Sequence, residues 1–236
     1  MAAGRCGPEP ALCRGVGALV VTPARLAAAL GGTLPPAGAR IGLLGGSFNP
    51  AHEGHRHISL EALRRLDLDE VWWLVSPQNP LKSAADMAPQ AARIASAAAL
   101  ARHRRIRVTG LESLLETRFT ADTLAELVRR FPQARFVWLM GADNLIQISF
   151  WQGWPQIFNT VVIAVFDRPT YSLGVGTAKA AQRFARQRVR ESEAKTLAGL
   201  TPPAWTFIHA RLIDKSATQI RARHGQDASD GPEDRH

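Results

Sequence analysis

The sequence predicts an α/β fold in which a parallel sheet of about five strands is covered by helices on both faces. Two observations lead to this prediction: short apolar runs alternate with segments of helical periodicity, and polar loops with glycine or proline follow the runs. This alternation predicts right-handed βαβ crossovers, which place helices on both sides of a parallel sheet. The 236 residues, 46% of them hydrophobic, are enough to bury one such core.

The strands are predicted where apolar runs end in a turn signal. They cover residues 40–46, 70–77, 105–108, 134–141 and 159–169. Apolar spacing predicts helices at residues 52–66, 90–102 and 120–130, and Thr120 is a candidate N-cap for the last of these. The basic segment 172–200 is interpreted as one solvated helix.

The ends of the chain differ in composition from its centre. Residues 1–38 are rich in Ala, Gly and Pro, and we expect a flexible N-terminal extension with a short helix at residues 23–30. One α/β domain is expected at residues 39–224, followed by a polar tail, residues 225–236, that is expected to be disordered. No apolar run approaches the roughly 18–20 residues that span a bilayer, so no membrane partner is predicted. The only cysteines, Cys6 and Cys13, precede the first strand and favour a reducing cytoplasm.

The formal net charge of +9 favours a partner that carries phosphate. Only four of the 29 basic residues are lysine, so a compositional bias toward arginine explains the charge equally well. Charge alone therefore does not separate a nucleotide enzyme from an RNA-binding protein.

The segment "GLLGGSFNPAHEGHRHIS", residues 42–59, contains two adjacent glycines and three histidines. A metal site is one interpretation, but the HExxH pattern is missing and no cysteine is near. On a helix, His52 and His55 share a face from which His57 points away. The turn matches neither the G-x-G-x-x-G fingerprint nor the P-loop.

A phosphate cradle is the second interpretation of this segment. Gly45 and Gly46 would let a ligand approach the backbone, and the amides that open the next helix attract anions. His52 and His55, one turn apart, can donate hydrogen bonds to the same phosphate. Histidines that only cap the helix remain the alternative.

The motif "GGSFNPAHEGH" resembles the (H/T)xGH signature of a nucleotidyltransferase superfamily, and "SATQIR", residues 216–221, resembles its (S/T)xTxxR signature. The loops between them are similar to those of bacterial nicotinate-nucleotide adenylyltransferase over residues 41–223. They read "SPQNPLK", "RFTADTL", "GADNL", "FWQGW" and "FDRP". The chain departs from that pattern at Phe119, where tyrosine is usual, and at Lys215, where isoleucine is usual.

This resemblance implies a Rossmann-like nucleotidyltransferase fold and adenylyl transfer from ATP to nicotinate mononucleotide. It implies that Mg²⁺ is carried by ATP, and we name no protein ligand to the metal. The implied catalytic residues are His52, His55 and Arg221. The implied ATP-binding residues are Gly45, Gly46, Ser47, Phe48, Gly141, Asp143, Ser216, Thr218 and Arg221. The implied residues around the acceptor are Asn79, Lys82, Phe119, Thr120, Trp151 and Arg168.

Two other functions stay open at this point. Pantetheine-phosphate adenylyltransferase shares both signatures, although it lacks the Trp-rich segment. A basic RNA-binding protein on the same scaffold is the other, but the intact second signature argues against nucleic acid as the partner. Nicotinamide mononucleotide as acceptor and a homo-oligomeric state are also left open. Trp72 and Trp73, in mid-strand, are expected in the core.

Overall fold

The computed structural model describes residues 21–77, 87–167 and 174–209. Its strands are Arg40–Gly46 (β1), Glu70–Val75 (β2), Ile106–Thr109 (β3), Arg135–Gly141 (β4), Val162–Phe166 (β5), Arg188–Val189 (β6) and Trp205–Ile208 (β7). Its α-helices are Pro23–Ala29 (α1), Glu53–Arg65 (α2), Gln90–Ala101 (α3), Leu111–Leu114 (α4), Thr120–Arg130 (α5), Ala142–Gln147 (α6), Trp154–Thr160 (α7) and Lys179–Arg183 (α8). Short 3₁₀ helices occupy Ile148–Phe150, Ala185–Gln187 and Glu191–Gly199.

The strands form one parallel sheet in the order β3-β2-β1-β4-β5-β7-β6. From β1 the chain first builds one side of the sheet, through β2 and β3, and then returns to build the other side from β4 onward. The strand order therefore reverses between β1 and β4. Open α/β sheets bind ligands at such a switch point, beyond the carboxyl ends of the strands.

Each face of the sheet is buried against its own cluster of apolar side chains. Leu43 and Trp72 belong to the cluster on one face, and Leu44 and Trp73 belong to the cluster on the other. Successive residues of a strand point to opposite faces, so β1 and β2 contribute to both clusters. Both tryptophans are fully buried, which confirms their predicted place in the core.

The sheet has seven strands in the described part of the chain, where about five were predicted, because β6 and β7 were missed. The basic segment 172–200 is not one helix: in its described part, α8 and two 3₁₀ helices flank β6. Arg188 lies in β6, and its guanidinium carbon is 5.3 Å from the ring centroid of Trp205 in β7. This packing against an aromatic ring explains how a basic residue occupies a strand.

The N-terminal helix α1 packs on the folded domain. Leu26 and Leu30 are 5% and 2% exposed and belong to the same cluster as Trp72. Arg107 of β3 donates to the carbonyl of Leu30 at 2.6 Å, and Arg130 donates to the carbonyl of Val21 at 3.0 Å. The helix predicted at residues 23–30 is therefore present, and residues that composition placed in a flexible extension contribute to the core.

The predicted helix at residues 120–130 is confirmed, but Thr120 is not its N-cap. Phe119 holds that position with extended dihedrals, φ −111° and ψ 146°, and Thr120 is already helical. The fifth strand begins at Val162 rather than residue 159, because Asn159 and Thr160 end α7. Within the described ranges, no helix is long and apolar enough to cross a membrane.

Candidate active site

The loop after β1 begins with two glycines that have different surroundings. A Cβ on Gly45 would clash with the Cη2 atom of Trp138, whereas a Cβ on Gly46 would lie 3.4 Å from the ring of Phe48, an ordinary contact. Gly45 is therefore required for packing, and its contact with ATP stays a prediction. Its missing side chain makes room for the indole of Trp138, which is 3% exposed on the neighbouring strand β4.

Phe48 adopts a backbone conformation that is unusual for a residue with a side chain. Its φ is +48°, and its side chain is buried at 1% exposure. The ring stacks on Trp73 at 5.1 Å and lies 4.6 Å from the ring of His55. This packing compensates for the left-handed backbone, and strain of this kind is often found at functional sites. The ring of Phe48 thus supports His55, while its main chain remains part of the loop.

His52 and His55 lie together at the start of α2. His52 is the N-cap of the helix, and its main-chain N–H donates to Nδ1 of His55 at 3.1 Å. Because Nδ1 of His55 accepts a hydrogen bond, the proton of the neutral ring is on Nε2. The two ring centroids are 3.8 Å apart, and His52 is only 5% exposed. The pair therefore offers a ring N–H donor beside the backbone amides of a helix N-terminus.

His57, the third histidine of the segment, takes no part in this pairing. No ring contact joins it to either of the other two, and its buried Nε2 has no hydrogen-bond partner among the described residues. This agrees with the expected separation of His57 from the shared face. Across residues 21–77, 87–167 and 174–209, no group of three or more His, Cys, Asp or Glu side chains is placed to hold a metal ion.

The carboxyl end of β4 lies on the other side of the switch point. Gly141 pairs with β5 and is the N-cap of α6, and Asp143 is in the first turn of that helix. The side chain of Asp143 is half-buried. Since β1 and β4 are parallel neighbours, the loop after β1 and the start of α6 occupy the same edge of the sheet.

The predicted acceptor residues that the structure describes come from two adjoining helix starts. Thr120 opens α5, and Trp151 precedes α7 by way of Gly153, whose φ is +64°. A Cβ on Gly153 would lie 3.2 Å from Cβ of Ala121, so the turn before α7 touches the start of α5. Trp151 is half-buried and packs against the core. The guanidinium of Arg118 lies 5.5 Å from the ring centroid of Phe119.

Several predicted site residues lie outside the described residues. They are Asn79, Lys82, Arg168, Ser216, Thr218 and Arg221. The structure therefore places the first signature, in the loop after β1 and the start of α2, at the same edge of the sheet as the start of α6 after β4. The second signature stays a prediction from the sequence.

Arg93, in the first turn of α3, was missed by the sequence analysis. It is 2% exposed and donates to the carbonyl of Ser47 at 2.5 Å, directly beside the paired glycines. A signal existed: Arg93, Ala97 and Ala101 are the buried residues of α3, at the i, i+4, i+8 spacing of a core-facing stripe. A cation in register with such a stripe indicates a buried hydrogen-bonding role.

Comparison with known proteins identifies the family of this chain. The cytidylyltransferase-like family model matches residues 43–223. A probable nicotinate-nucleotide adenylyltransferase from Methylorubrum extorquens (strain PA1) is 53% identical over 184 residues, which cover 78% of this chain and 100% of that protein. A protein of the same description from Cereibacter sphaeroides (strain ATCC 17023) is 53% identical over 182 residues, which cover 77% of this chain and 96% of that protein.

A solved structure shares the fold. Plasmodium falciparum nicotinic acid mononucleotide adenylyltransferase complexed with NaAD superposes with a TM-score of 0.59 and 18% sequence identity, over 78% of this chain and 83% of that one. At this identity the match concerns the fold alone, whereas the bacterial relatives establish kinship along most of the chain. The chain therefore belongs to the cytidylyltransferase-like family, among the nicotinate-nucleotide adenylyltransferases.

Proposed function

We propose that the protein transfers the adenylyl group of ATP to nicotinate mononucleotide, which yields deamido-NAD and pyrophosphate. The observation that carries the proposal is the fixed His52–His55 pair at the N-terminus of α2, at the switch point between β1 and β4. The names of the relatives that are 53% identical support this choice of reaction.

The reaction is a displacement at the α-phosphorus of ATP. An oxygen of the mononucleotide's phosphate forms a bond to that phosphorus, and the bond from the phosphorus to the bridging oxygen breaks, so that pyrophosphate leaves. The attacking oxygen is already ionised, and no side chain has to remove a proton from it. Catalysis then depends on positioning the reactants and on stabilising the charge that develops on the phosphates.

His52 and His55 are proposed to provide that stabilisation. The ring proton of neutral His55 is on Nε2, because Nδ1 accepts from the main chain of His52, and this N–H is the proposed donor to phosphate. The first amides of α2 and the partial positive charge of the helix start add to the attraction for phosphate. A donor that is held in place before substrate binds costs no reorganisation during the reaction.

Other parts of the ATP site are proposed from the loops around the switch point. The main chain of Gly46, Ser47 and Phe48 would line the phosphates, and Gly141 and Asp143 would contact the ribose. Ser216, Thr218 and Arg221 are proposed to hold the triphosphate, the hydroxyls by single hydrogen bonds and the guanidinium by paired donors. These roles follow from the matched motifs and from the edge of the sheet that the described loops share.

Mg²⁺ is proposed to enter with ATP. Mg²⁺ keeps several waters and commonly binds substrate phosphates with few protein carboxylates. Among the described residues, no group of three or more metal-ligating side chains occurs. Bound there, Mg²⁺ would neutralise part of the phosphate charge. His52 and His55 are proposed to act on the phosphates directly.

The acceptor site is proposed to form between the starts of α5 and α7. Thr120 would donate to the pyridine carboxylate, and Trp151 would stack on the ring. Asn79, Lys82 and Arg168 are proposed to add an amide donor and two cations. Phe119 has no hydroxyl, so any contact it makes to the acceptor uses its main chain.

A panel of acceptors tests the proposal. The protein is incubated with ATP, Mg²⁺ and, in turn, nicotinate mononucleotide, nicotinamide mononucleotide or phosphopantetheine, and pyrophosphate release is measured. We expect the highest kcat/KM with nicotinate mononucleotide, and an orders-of-magnitude loss in His55→Ala but not in the control His57→Ala. Release with phosphopantetheine alone would instead identify the coenzyme A precursor enzyme, and RNA binding without release would reject catalysis.

A cytoplasmic location is proposed along with this activity. It rests on the scarcity of cysteine, since only Cys6 and Cys13 occur in the chain. Fractionation of cells that express the protein would test it, and recovery in a membrane or secreted fraction would contradict it.

A further inference from the structure

The guanidinium of Arg93 is buried and surrounded by main-chain carbonyls. Nε donates to Ala88 at 2.8 Å, Nη1 donates to Ser47 at 2.5 Å and to Ser76 at 2.9 Å, and Nη2 donates to Pro77 at 2.9 Å. No carboxylate of the described residues forms an ion pair with it. All of its observed hydrogen bonds therefore go to three separate stretches of backbone.

These carbonyls need donors because two paired strands part at this point. The last register pair of β1 and β2 is Gly46 with Val75, and the N–H of Ser76 still donates to Gly46 at 3.0 Å. Beyond it the chains separate, and within the described part of the chain the next carbonyls have no strand partner. A buried carbonyl without a donor costs about 1–3 kcal/mol, so a side chain that serves several of them replaces the missing ladder.

Arginine suits this position better than any other residue. Its planar guanidinium carries five N–H donors in fixed directions, whereas the single nitrogen of lysine cannot span the same set. Burial lowers the pKa of the Arg93 guanidinium from its ordinary value, which marks the desolvation that the four carbonyls offset. A charge kept at this cost, with no anionic partner among the residues that the structure describes, indicates that the geometry it enforces matters.

Further hydrogen bonds join the same pieces of chain. The N–H of Ala88 donates to Oδ1 of Asn49 at 3.4 Å, so the loop after β1 is bonded to residue 88 a second time. Gln90 donates to the carbonyl of Val75 at 2.7 Å and accepts from Ser113 of α4 at 2.8 Å. The ends of β1 and β2 and the start of α3 thus form one hydrogen-bonded unit with Arg93 at its centre.

We propose that Arg93 is a positioning residue for adenylyl transfer, which holds the phosphate loop, residues 46–51, in register with residues 76–77 and 88. In the sequence, Pro77 and Ala88 flank the stretch that carries Asn79 and Lys82. One side chain therefore fixes the ATP side of the site relative to the anchor points of the acceptor loop. This inference rests on the proposed function, because it assigns the phosphate loop to ATP and the stretch between Pro77 and Ala88 to the acceptor.

The test compares Arg93→Met and Arg93→Lys with the matched control Arg105→Met. Arg105 also donates to main-chain carbonyls, those of Leu68 and Asp69, but these lie before the start of β2, away from the carboxyl ends of the strands. The thermal midpoint Tm, kcat and the KM for each substrate are measured. Equilibrium binding of ATP is followed by calorimetry.

Loss of positioning should change KM as well as kcat. We expect Arg93→Met to raise KM for ATP and for the acceptor about tenfold each and to lower kcat about 100-fold, with Arg93→Lys between it and the wild type. Arg105→Met should lower Tm and leave both KM values within about twofold, since it disturbs only the distant edge of the sheet. A residue that merely stabilises the fold would lower the active fraction and leave KM unchanged.

The outcomes separate the two proposals. Unchanged KM values and ATP affinity in Arg93→Met, with an active wild type, would overturn the positioning role. If Arg93→Met fails to fold, Arg93→Lys is measured in its place, and unchanged KM values and ATP affinity in that variant would overturn the positioning role. If the wild type releases no pyrophosphate with any acceptor, the proposed function fails. Calorimetry then tests the role of Arg93 without catalysis. That role requires the Arg93 variants to bind ATP more weakly than Arg105→Met does.

Discussion

The main-chain N–H of His52 donates to Nδ1 of His55 at 3.1 Å, and this single bond sets the chemistry of the pair. It satisfies an amide at the start of α2 that has no partner within the helix. It also keeps the proton of neutral His55 on Nε2. The same contact therefore stabilises the helix start and orients the N–H that we propose as the donor to phosphate.

Amide substitutions can separate these two roles of His55. In His55→Asn the side-chain oxygen can replace Nδ1 as acceptor, whereas in His55→Gln the amide nitrogen can replace Nε2 as donor. We expect kcat to fall about 100-fold or more in His55→Asn and only about tenfold in His55→Gln, because the donor acts on the developing charge. Steady-state kinetics at saturating ATP measures both, and a more active Asn variant would contradict the assignment of Nε2.

The neighbouring glycines should respond differently to alanine. Gly45→Ala forces a methyl group against the buried ring of Trp138, and we expect a loss of about 1–3 kcal/mol in the free energy of unfolding. Gly46→Ala adds only an ordinary contact with Phe48 and should change stability by less than about 1 kcal/mol. Urea denaturation measures both. Equal losses would show that the indole moves aside.

The first signature could be predicted from the sequence because its order is local. Helical spacing alone placed His52 and His55 on one face, and the apolar run before Gly45 predicted a strand at the correct position. The partner of Gly45 could not be predicted, since Trp138 lies about 90 residues away and meets it only after β1 and β4 pair. A local stretch of sequence shows the spacing of its apolar residues and the residues that favour turns. It does not show which side chain from another strand fills the space beside a glycine.

The missed strands have the same physical origin. β6 is two residues long and contains Arg188, so no local pattern marks it, and it forms only because β7 pairs with it. β7, with the apolar sequence "WTFI" after two prolines, did carry a readable signal. Arg93 is intermediate: its place on the buried stripe of α3 is visible, but the carbonyls it serves belong to three stretches that only the fold assembles.

The packing of α1 predicts that the N-terminal segment contributes to stability. Leu26 is 5% exposed in the core, and truncation to alanine should lower the free energy of unfolding by about 2–4 kcal/mol. The matched control is Leu34→Ala, because Leu34 is 41% exposed in the same segment and should cost less than about 0.5 kcal/mol. Chemical denaturation compares them. Equal stabilities would mean that α1 does not dock in solution.

Glu112, in the first turn of α4, should make stability depend on pH. Its side chain is half-buried, and burial raises the pKa of its carboxyl from 4.5 to about 7. Between these values the unfolded chain has lost the proton that the folded chain still holds. The free energy of unfolding therefore falls as pH rises from about 4.5 to 7 and loses nothing more from this group above that range.

Glu112→Gln removes this dependence, because an amide stays neutral at every pH. We expect the variant to gain on the order of 3 kcal/mol over the wild type at pH 8 and to come close to it at pH 4, where both wild-type states are largely protonated. Urea denaturation of both proteins at pH 4, 6 and 8 gives the difference at each pH. Glu116→Gln, at an exposed carboxyl just beyond α4, is the matched control. A constant difference across the three pH values would mean that Glu112 ionises in the folded protein as it does in the unfolded chain.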